Sequence, residues 1–501
     1  MKYLLGTDNG GSFAKAALFS LDGREIAAAG QKTEMSTPKP GHTERDMPAL
    51  WQATAASIRE VLARSGVRPA DVVAVAATGH GNGLYLVDAD GCPVRPGIVS
   101  TDSRAKDYVA RWYADGTHRA VLPHTMQSLW PGQPNALLAW LLDHEPETIR
   151  RARWALMCKD YIRFRLTGRI EAELTDQSGT SLMSVRDGGY CDEVLRAFGL
   201  QSVAHLMPPI RRPEEICGQV TAQAAEETGL APGTPVAGGL FDIVACALAS
   251  GVVDENAFSM VAGTWGICQY VSHTPVVDPD LFMCARYCTP GDYLVPEASP
   301  TSASNLEWFV TQFLPEAKAQ QSGSIFDRVN QWVASCRPED ADIVFLPFLF
   351  GSNAQPDAKA SLLGMNGWHS RANVLRAIYE GVAFGHKTHF DRLLRFRRAP
   401  RTIRLTGGAA RSEVWVQIFA DLFQTPVEIP AGTELGALGS AICAAVAVGI
   451  YKSCEEAVRA MVQIARTQQP DPSRADLYQR KYRRYRAVVD ALGPVWKQWE
   501  S

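Results

Sequence analysis

The feature that most constrains the fold is a hairpin pattern that occurs twice, once in each half of the chain. In the first copy, two apolar runs within residues 3–19 are separated by the turn sequence Asn9-Gly10-Gly11-Ser12. In the second copy, two runs within residues 257–271 are separated by Gly263-Thr264. Short apolar runs that flank a glycine turn are typical of β-hairpins. We interpret the recurrence as a weak internal repeat, which predicts two domains of related architecture.

Strand and helix patterns alternate after the first hairpin. The elements predicted there are a strand at residues 25–31, a helix at 47–63 and a buried strand at 72–77. In the second half, a strand at residues 402–405, the pair Gly407-Gly408 and a helix at 412–423 repeat the order strand, glycine turn, helix. Three antiparallel strands followed by alternating helices and strands are typical of a mixed sheet, so the predicted fold class is α/β.

Length and charge limit the classes of function. The chain has 501 residues, room for roughly two to four domains. We place the boundary near Gly251, which gives an N-terminal domain in residues 1–250 and a C-terminal domain in residues 251–501. The formal net charge of −3 provides no basic field that would indicate nucleic acid or an anionic membrane as a partner. The eleven cysteines include no Cys-x-x-Cys, and neither a signal peptide nor a membrane-spanning run is recognisable, so we expect a cytoplasmic protein.

Three glycine turns follow predicted strands, at residues 8–12, at Gly263-Thr264 and at Gly407-Gly408. Taken singly, each also fits an ordinary turn. Such turns expose the backbone N–H groups that phosphate binding requires. Asp8 ends the first strand, where a carboxylate can hold hydrated Mg²⁺, and Lys15 lies in the next strand within reach of a phosphate. The sequence contains neither a P-loop motif nor an intact Gly-x-Gly-x-x-Gly.

An acidic residue follows a further glycine turn, in Gly238-Gly239-Leu240-Phe241-Asp242. Asp242 starts a predicted helix, so one interpretation is that it caps this helix. The other interpretation is a general base that accepts a hydroxyl proton. The two roles are compatible, and the residues alone do not choose between them.

A second glycine-rich stretch in the first half of the chain, residues 79–83, has polar residues near it that could contact a polyol. Asn82 could bond hydroxyls there, or the stretch could be a simple turn. Asp102 and Arg104 could line the same pocket, or be a helix cap and a surface charge. His386 and His389 lie in a predicted helix without the pattern of a metal site, and we interpret them as packing or surface residues.

Together these segments resemble the FGGY family of carbohydrate kinases, on the ribonuclease H-like ATPase fold shared with actin and the heat-shock chaperone ATPases. The matching motifs are the first phosphate motif at residues 8–15, the catalytic aspartate segment at 238–242, the second phosphate motif at 262–266, the C-terminal signature at 364–384, the adenosine motif at 406–412 and a glycine-rich helix start at 434–439. The resemblance runs in order from about residue 2 to residue 490, and jointly the motifs are highly specific.

Within the family, the chain is most similar to the L-xylulose kinases, on strings that include residues 297–302 and 305–309. The resemblance implies two actin-like domains that flank a central cleft. The N-terminal domain would hold the sugar site, the first phosphate motif and the catalytic aspartate. The C-terminal domain would hold the second phosphate and adenosine motifs. Asn82 stands where D-xylulose kinases have His and glycerol kinases have Glu.

The family likeness also implies a role for each site residue. Asp242 would be the catalytic base, and Asp8 with Asp242 would hold Mg²⁺. The residues implied to contact the sugar are Gly81, Asn82, Asp102, Phe241 and Asp242. The residues implied to bind ATP are Gly10, Gly11, Ser12, Lys15, Gly263, Thr264, Gly407, Gly408 and Ser412. The expected reaction is transfer of the ATP γ-phosphoryl group to the terminal hydroxyl of a ketopentose, giving L-xylulose 5-phosphate from L-xylulose, and the family's habit suggests a homodimer.

Two alternatives remain open at the level of sequence. The first is another FGGY kinase, with D-xylulose, ribulose, erythritol or glycerol as its substrate. The second belongs to a different class: a catalytically inactive, sugar- or nucleotide-binding regulatory protein that kept the fold. The presence of the candidate base and of both phosphate turns favours an enzyme.

Overall fold

The computed structural model describes residues 1–314, 324–352, 355 and 357–498. The chain forms two compact units, each built from separate segments. Unit 1 comprises Met1–Val253, Val271–Val295 and Gly432–Val462, and unit 2 comprises Asp254–Tyr270, Pro296–Ala431 and Gln463–Ser501. The segment Gly432–Val462 therefore belongs to unit 1, although it lies late in the chain. The division into residues 1–250 and 251–501 stays a prediction about domains.

The strands in chain order are β1 Tyr3–Asn9, β2 Phe13–Ser20, β3 Glu25–Lys32, β4 Glu44–Arg45, β5 Val72–Gly79, β6 Tyr85–Val87, β7 Gly97–Ile98, β8 Trp154–Leu156, β9 Ala172–Glu173, β10 Met183–Ser184, β11 Gly189–Tyr190, β12 Ile210–Arg211, β13 Ile216–Gln219, β14 Pro235–Ala237, β15 Leu240–Phe241, β16 Ala257–Ala262, β17 Gly266–Ser272, β18 Ala285–Arg286, β19 Tyr293–Ser299, β20 Val344–Leu346, β21 Ser361–Leu363, β22 Thr402–Thr406, β23 Val427–Pro430 and β24 Ile464–Gln468.

The α-helices are α1 Met47–Ser65, α2 Lys106–Ala114, α3 Thr117–Thr125, α4 Pro134–His144, α5 Pro146–Arg151, α6 Cys158–Thr167, α7 Leu174–Gln177, α8 Asp192–Ala197, α9 Ala222–Thr228, α10 Asp242–Ala249, α11 Ser304–Phe313, α12 Ile325–Ser335, α13 Arg371–Leu393, α14 Glu413–Phe423, α15 Leu435–Ala447, α16 Cys454–Met461 and α17 Ala475–Trp496.

Unit 1 is organised by a mixed sheet in the order β13-β14-β5-β1-β2-β3. The central strand β1 pairs with β2 antiparallel and with β5 parallel. This arrangement confirms the hairpin and the third strand that the sequence predicts. Asp8, near the end of β1, lies opposite Lys15 on β2 and Thr78 on β5. The register thus fixes which side chains surround the end of the central strand.

Helices cover both faces of this sheet. The apolar face of α1, which includes Trp51, Ile58 and Leu62, is buried as its spacing predicts, and α1 contacts β2 and β3. Helix α15 packs against β1 so closely that a Cβ at Gly6 would overlap the carbonyl oxygen of Ala437. Glycine at position 6 therefore allows α15 to lie against β1, which brings the start of α15 close to Asp8.

A second core of unit 1 is mostly helical. Its buried side chains come from α2 to α5 and α8, and they include Trp112, Leu137 and Leu195. The ring of Trp112 packs against Phe198, with 4.5 Å between the ring centroids. This core includes Leu129, which lies in the loop between α3 and α4.

Unit 2 repeats the central motif of unit 1. Strand β16 pairs with β17 antiparallel and with β22 parallel, and β23 and β24 extend the sheet beyond β22. The predicted strand at residues 402–405 continues to Thr406, and the predicted helix at 412–423 begins at Glu413 with Ser412 as its cap. The fold is thus mixed α/β with two mixed sheets, and the second sheet carries the repeat that the sequence indicates.

In the part of the chain that the structure describes, none of the helices is both long and apolar enough to cross a membrane.

Candidate active site

Asp242 lies where β15 passes directly into α10. It is the first residue of α10, and Phe241 occupies the cap position. The interpretation of Asp242 as a helix cap is therefore wrong by one residue, although its Oδ1 accepts a hydrogen bond from the N–H of Ile243 at 2.7 Å. The side chain is half-buried. Burial, and then the negative charge of Asp8, raise the pKa of Asp242 to about 7.

Asp242 is positioned through a hydrogen-bond chain behind it. The hydroxyl of Thr175 donates to Glu173 at 2.8 Å and accepts from the backbone N–H of Phe241 at 3.0 Å. Glu173 and Thr175 are buried, and Glu173 also accepts from the N–H of Thr175. The residue that precedes Asp242 is thus fixed by a buried carboxylate and hydroxyl, a support that the sequence motifs did not reveal.

Asp8 is the second carboxylate of the site. Burial raises its pKa to about 6, the charge of Lys15 lowers it, and the charge of Glu434 raises it. A Cβ at Gly436 would overlap Oδ2 of Asp8, so a larger residue there would force this carboxylate out of its present position. Asp8 and Asp242 interact electrostatically, as the effect of Asp8 on the pKa of Asp242 shows.

Lys15 forms an ion pair with Glu434, with 2.9 Å between Nζ and Oε2. The loop that carries Glu434 is held by Glu25, which accepts a hydrogen bond from the hydroxyl of Thr433 at 3.0 Å. Sequence reasoning noted residues 434–439 only as a glycine-rich helix start and missed this acid. The feature that could have indicated Glu434 is its position immediately before α15, the helix that packs on β1.

The turn that joins β1 to β2 is exposed at Gly11 and Ser12. Arg45 donates hydrogen bonds to the carbonyl oxygens of Gly10, at 3.1 Å, and of Gly11. The N–H of Thr33 donates to the carbonyl oxygen of Ser12 at 2.9 Å. Because these hydrogen bonds fix its carbonyl groups, the turn has a defined shape beside Asp8 and Lys15.

Asn82 lies in a tight turn after β5. Its φ of 60° is unusual for a residue other than glycine, and it is buried with an Oδ1 that lacks a hydrogen-bond partner among the described residues. A Cβ at Gly81 would overlap the ring of Phe241. The structure thus brings Gly81 and Phe241 together and places Asn82 beside them, as the sequence predicts for the sugar side.

Further unpaired polar groups lie next to this turn. The N–H of Gly83 donates to the carbonyl of Gly132 at 2.8 Å, which places the segment before α4 against the Asn82 turn. Trp130 Nε1 in that segment and both polar atoms of the Asn135 side chain, in the first turn of α4, are buried without a partner among the described residues. Buried polar groups normally have partners, so these atoms fit a pocket that a polyol completes. Sequence reasoning missed Trp130 and Asn135.

Asp102 and Arg104 form a buried ion pair, at 2.8 Å. Asp102 also accepts hydrogen bonds from the N–H of Thr43 and of Arg104, and Arg104 binds Glu44. The cap of α2 is Ala105, so the alternative interpretation of a helix cap and a surface charge is wrong for both residues. A contact of Asp102 with sugar stays a prediction.

In unit 2, two glycine turns meet because their strands are parallel neighbours. Val261 lies opposite Thr406 in the register, so Gly263-Thr264 and Gly407-Gly408 follow adjacent strand ends. Gly407 has a φ of 87°, and a Cβ there would lie 2.6 Å from the carbonyl oxygen of Ala262. The structure therefore brings these four predicted nucleotide residues together.

Ser412 lies just beyond these turns and caps α14. Its hydroxyl accepts from the N–H of Trp415 at 3.2 Å and donates to Asn330 at 2.6 Å. His386 and His389 of α13 are packing residues, since both are buried and bonded to Ser302 and Ser299.

Comparisons with known proteins agree with this arrangement. The N-terminal domain profile of the FGGY family of carbohydrate kinases matches residues 3–249, and its C-terminal domain profile matches residues 258–448. The chain is 40% identical over 494 residues to the L-xylulose/3-keto-L-gulonate kinase of Escherichia coli (strain K12), covering 98% of this chain and 97% of the relative. It is 38% identical over 496 residues to a probable L-xylulose kinase of Pasteurella multocida (strain Pm70), covering 98% and 99%.

Among solved structures, the crystal structure of xylulose kinase from Rhodospirillum rubrum is similar, with a TM-score of 0.88 and 28% sequence identity over 99% of this chain and all of that chain.

Proposed function

The chain belongs to the FGGY family of carbohydrate kinases and is an ATP-dependent phosphotransferase, and from that premise we propose that its acceptor is the ketopentose L-xylulose. The product is L-xylulose 5-phosphate, formed at the terminal hydroxyl. The observation that carries this proposal is the similarity, at 36–40% identity over nearly the whole chain, to three relatives named as L-xylulose kinases or probable L-xylulose kinases. The name of the first relative makes 3-keto-L-gulonate a second candidate substrate.

Asp242 is the proposed general base. It accepts the proton of the terminal hydroxyl while the sugar oxygen bonds to the γ-phosphorus and the bond from that phosphorus to ADP breaks. An aspartate with an ordinary pKa, near about 4, is a weak base. Burial and the charge of Asp8 raise the pKa of Asp242 to about 7, whereas Mg²⁺ at the same carboxylate would lower this pKa because a cation stabilises the charged form.

Asp8 and Asp242 are the proposed holders of Mg²⁺. Two half-buried carboxylates that interact electrostatically, with Glu434 adding a third negative charge, fit a hard divalent cation because they supply oxygen ligands and excess charge. When bound, Mg²⁺ offsets the negative charge of the phosphates. Gly436 leaves the space in which the Asp8 carboxylate lies.

Nucleotide binding is proposed for backbone turns and one lysine. In unit 1, the residues are Gly10, Gly11, Ser12 and Lys15, and in unit 2 they are Gly263, Thr264, Gly407, Gly408 and Ser412. Backbone N–H groups at glycine turns bind phosphate oxygens without a side-chain charge. Glu434 holds the ammonium group of Lys15 beside Asp8, which limits the positions that this long side chain adopts.

Sugar recognition is proposed for the Asn82 turn and the groups beside it. Asn82 Oδ1, Trp130 Nε1 and the Asn135 amide supply donors and acceptors that lack partners among the described residues. Amide and hydroxyl groups pair in either direction, so such a set can distinguish the stereochemistry of a polyol.

The test is a substrate panel with the purified chain, MgATP and an assay coupled to ADP release. The panel holds L-xylulose, 3-keto-L-gulonate, D-xylulose, L-ribulose, D-ribulose, erythritol and glycerol. We expect the highest kcat/KM for L-xylulose, with phosphate on the terminal oxygen in the NMR spectrum of the product. If another member of the panel has a higher kcat/KM, that compound and not L-xylulose is the preferred substrate. Binding of sugar and ATP without turnover of any member would support the regulatory alternative. Sedimentation tests the expected homodimer.

A further inference from the structure

Three side chains with different metal-binding atoms meet in unit 1, and the candidate active site uses none of them. His124 lies in the last turn of α3, Cys191 precedes α8 and Glu193 lies in the first turn of α8. One ligand atom from each residue lies within 4.8 Å of the other two. We propose that this triad, His124, Cys191 and Glu193, binds a divalent cation of borderline softness, of the Zn²⁺ class, with water as the fourth ligand.

The spacing of the triad suits a tetrahedral ion. Zn²⁺ bonds of about 2.0–2.3 Å in a tetrahedron separate neighbouring ligand atoms by roughly 3.3–3.6 Å. Nε2 of His124 already lies 3.3 Å from Oε2 of Glu193. The upper limit of 4.8 Å for the whole set means that closure needs a shift of about 1 Å, within the range of side-chain rotation.

The chemistry of the donors favours Zn²⁺ over Mg²⁺ or Ca²⁺. Thiolate and imidazole are ligands of borderline and soft ions, whereas Mg²⁺ and Ca²⁺ take oxygen ligands. Cys191 forms no disulfide, so its sulfur is available to coordinate. When the thiol loses its proton, Cys191 and Glu193 together supply two negative charges, which neutralise a divalent cation with a neutral His124.

The backbone under the triad is held in place. The carbonyl of His124 accepts from the N–H of Val185 at 2.9 Å, and the carbonyl of Cys191 accepts from the N–H of Leu195 at 2.9 Å. Leu195 is buried in the helical core of unit 1. Helices α3 and α8 contact each other, so binding requires little backbone ordering. The side chain of Glu193 is largely exposed, which gives a cation and its water access.

A simple ion pair between His124 and Glu193 is the competing explanation, and it does not involve the thiol. The experiment therefore measures whether the sulfur of Cys191 binds the metal. The chelator-treated full-length protein is titrated with Co²⁺, which gives an intense near-ultraviolet charge-transfer band when a thiolate binds it. Zn²⁺ affinity is then measured by competition with a chromophoric chelator, for the parent, for Cys191→Ser, His124→Ala and Glu193→Gln, and for the control Cys92→Ser, which removes an exposed cysteine elsewhere.

We expect one Co²⁺ per chain with a thiolate band, loss of the band in Cys191→Ser, and Zn²⁺ affinity at least tenfold weaker in His124→Ala and Cys191→Ser. Glu193→Gln should weaken Zn²⁺ binding less than these two variants, and Cys92→Ser should match the parent. Sugar-kinase activity without Zn²⁺ should stay at the parental level in all variants, which reports that they are folded. A thiolate band that persists in Cys191→Ser overturns the proposal, as does its absence from the parent at stoichiometric Co²⁺. Parental Zn²⁺ affinity in His124→Ala overturns it as well.

Discussion

The two units build the same central motif and place different chemistry on it. In each, a middle strand has one antiparallel and one parallel neighbour, β1 with β2 and β5 in unit 1 and β16 with β17 and β22 in unit 2. In unit 1, the middle strand ends near Asp8, which lies opposite Lys15. In unit 2, the corresponding ends lead into Gly263-Thr264 and Gly407-Gly408. Both units thus carry a glycine turn after the middle strand, and unit 1 adds charged side chains beside that turn.

This difference separates two physical tasks. Taking up a proton needs a titratable group, and holding a divalent cation needs oxygen donors with negative charge. Binding a phosphate needs only N–H groups that converge, and glycine turns supply them. We therefore propose that the carboxylates of unit 1 control the rate of phosphoryl transfer, whereas the turns of unit 2 control the affinity for nucleotide.

The largest effect is expected for Asp242→Asn in unit 1. Because the amide cannot accept the proton, kcat should fall by about 10²–10⁴-fold, while sugar and ATP still bind. Steady-state kinetics and calorimetry measure both quantities. A matched control is Asp107→Asn, since Asp107 is an exposed acid in the first turn of α2, and it should leave kcat unchanged. A kcat for Asp242→Asn within about threefold of the parent, far below that range, would show that another group takes the proton.

The next effect concerns the choice of sugar, which we assign to side chains of unit 1. Asn82→His should change the ratio of kcat/KM between L-xylulose and D-xylulose by roughly 5–150-fold, because an unpaired buried group costs about 1–3 kcal/mol. Thr264→Ala in unit 2 is the matched control and should leave the ratio unchanged. If both sugars lose activity equally in a well-folded Asn82→His, the turn is structural only.

A smaller effect is expected for the turns of unit 2. Gly407→Ala introduces a Cβ that lies 2.6 Å from the oxygen of Ala262, at a φ of 87°. Backbone strain of about 1–3 kcal/mol should weaken ATP binding by about tenfold and leave sugar affinity, measured without nucleotide, unchanged. Gly449→Ala shares a positive φ, 71°, with no atom within 4 Å of the new Cβ, and it controls for strain alone. A loss of sugar affinity with normal ATP kinetics would contradict the assignment.

Lys15 should have a moderate effect, since it belongs to unit 1 but is proposed to bind phosphate. Because the side chain is partly exposed, Lys15→Ala should raise the KM for MgATP by about five- to tenfold. Glu434→Gln removes the ion-pair partner of Lys15 but keeps the lysine, so the KM of this variant for MgATP should rise less. An equal or larger rise in Glu434→Gln would mean that Glu434 contributes by a route other than Lys15.

Both units should lose stability at acidic pH for the same reason, a buried histidine. His80 in unit 1 and His386 in unit 2 are both buried, and burial is the main cause that lowers the pKa of each to about 3. An unfolded histidine titrates near 6.5, so below that pH the unfolded chain binds more protons and the folded state loses stability. Each histidine should lower the free energy of unfolding by about 2 kcal/mol as the pH falls from 6.5 to 5.

The measurement is urea unfolding at pH 7.5 and pH 5. His80→Gln and His386→Gln should each show a smaller loss of stability on acidification than the parent, whereas His205→Gln, which changes an exposed side chain, should show the same loss. A parental pH dependence in both buried variants would mean that neither histidine is held neutral by burial.

Much of the local structure follows from the sequence because it depends on neighbours along the chain. The helix predicted to start at Asp242 does start there, the strand at 257–262 has the predicted bounds, and the first hairpin differs by a residue at its ends. These elements combine apolar spacing with glycine turns or caps, which are local signals.

The site was less accessible to sequence reasoning because its parts meet across long distances in the chain. Glu434 pairs with Lys15 across 419 positions, and no pattern near either residue indicates the other. A surface charge is one of the two interpretations that the sequence allows for Arg104, yet its side chain is buried against Asp102 and Glu44. The polar side-chain atoms of Trp130 and Asn135 are buried by the surrounding chain and lack partners among the residues that the structure describes. Burial of this kind is set by tertiary packing and not by local spacing.

The division of tasks is tested most directly by single-turnover transfer in a rapid-quench instrument, with L-xylulose saturating and MgATP varied, for Asp242→Asn and Thr264→Ala. The account predicts that Asp242→Asn transfers phosphate at least about 10²-fold more slowly than the parent at every ATP concentration, and that Thr264→Ala regains most of the parental rate as ATP is raised. The opposite pattern, in which added ATP restores Asp242→Asn but not Thr264→Ala, would contradict it.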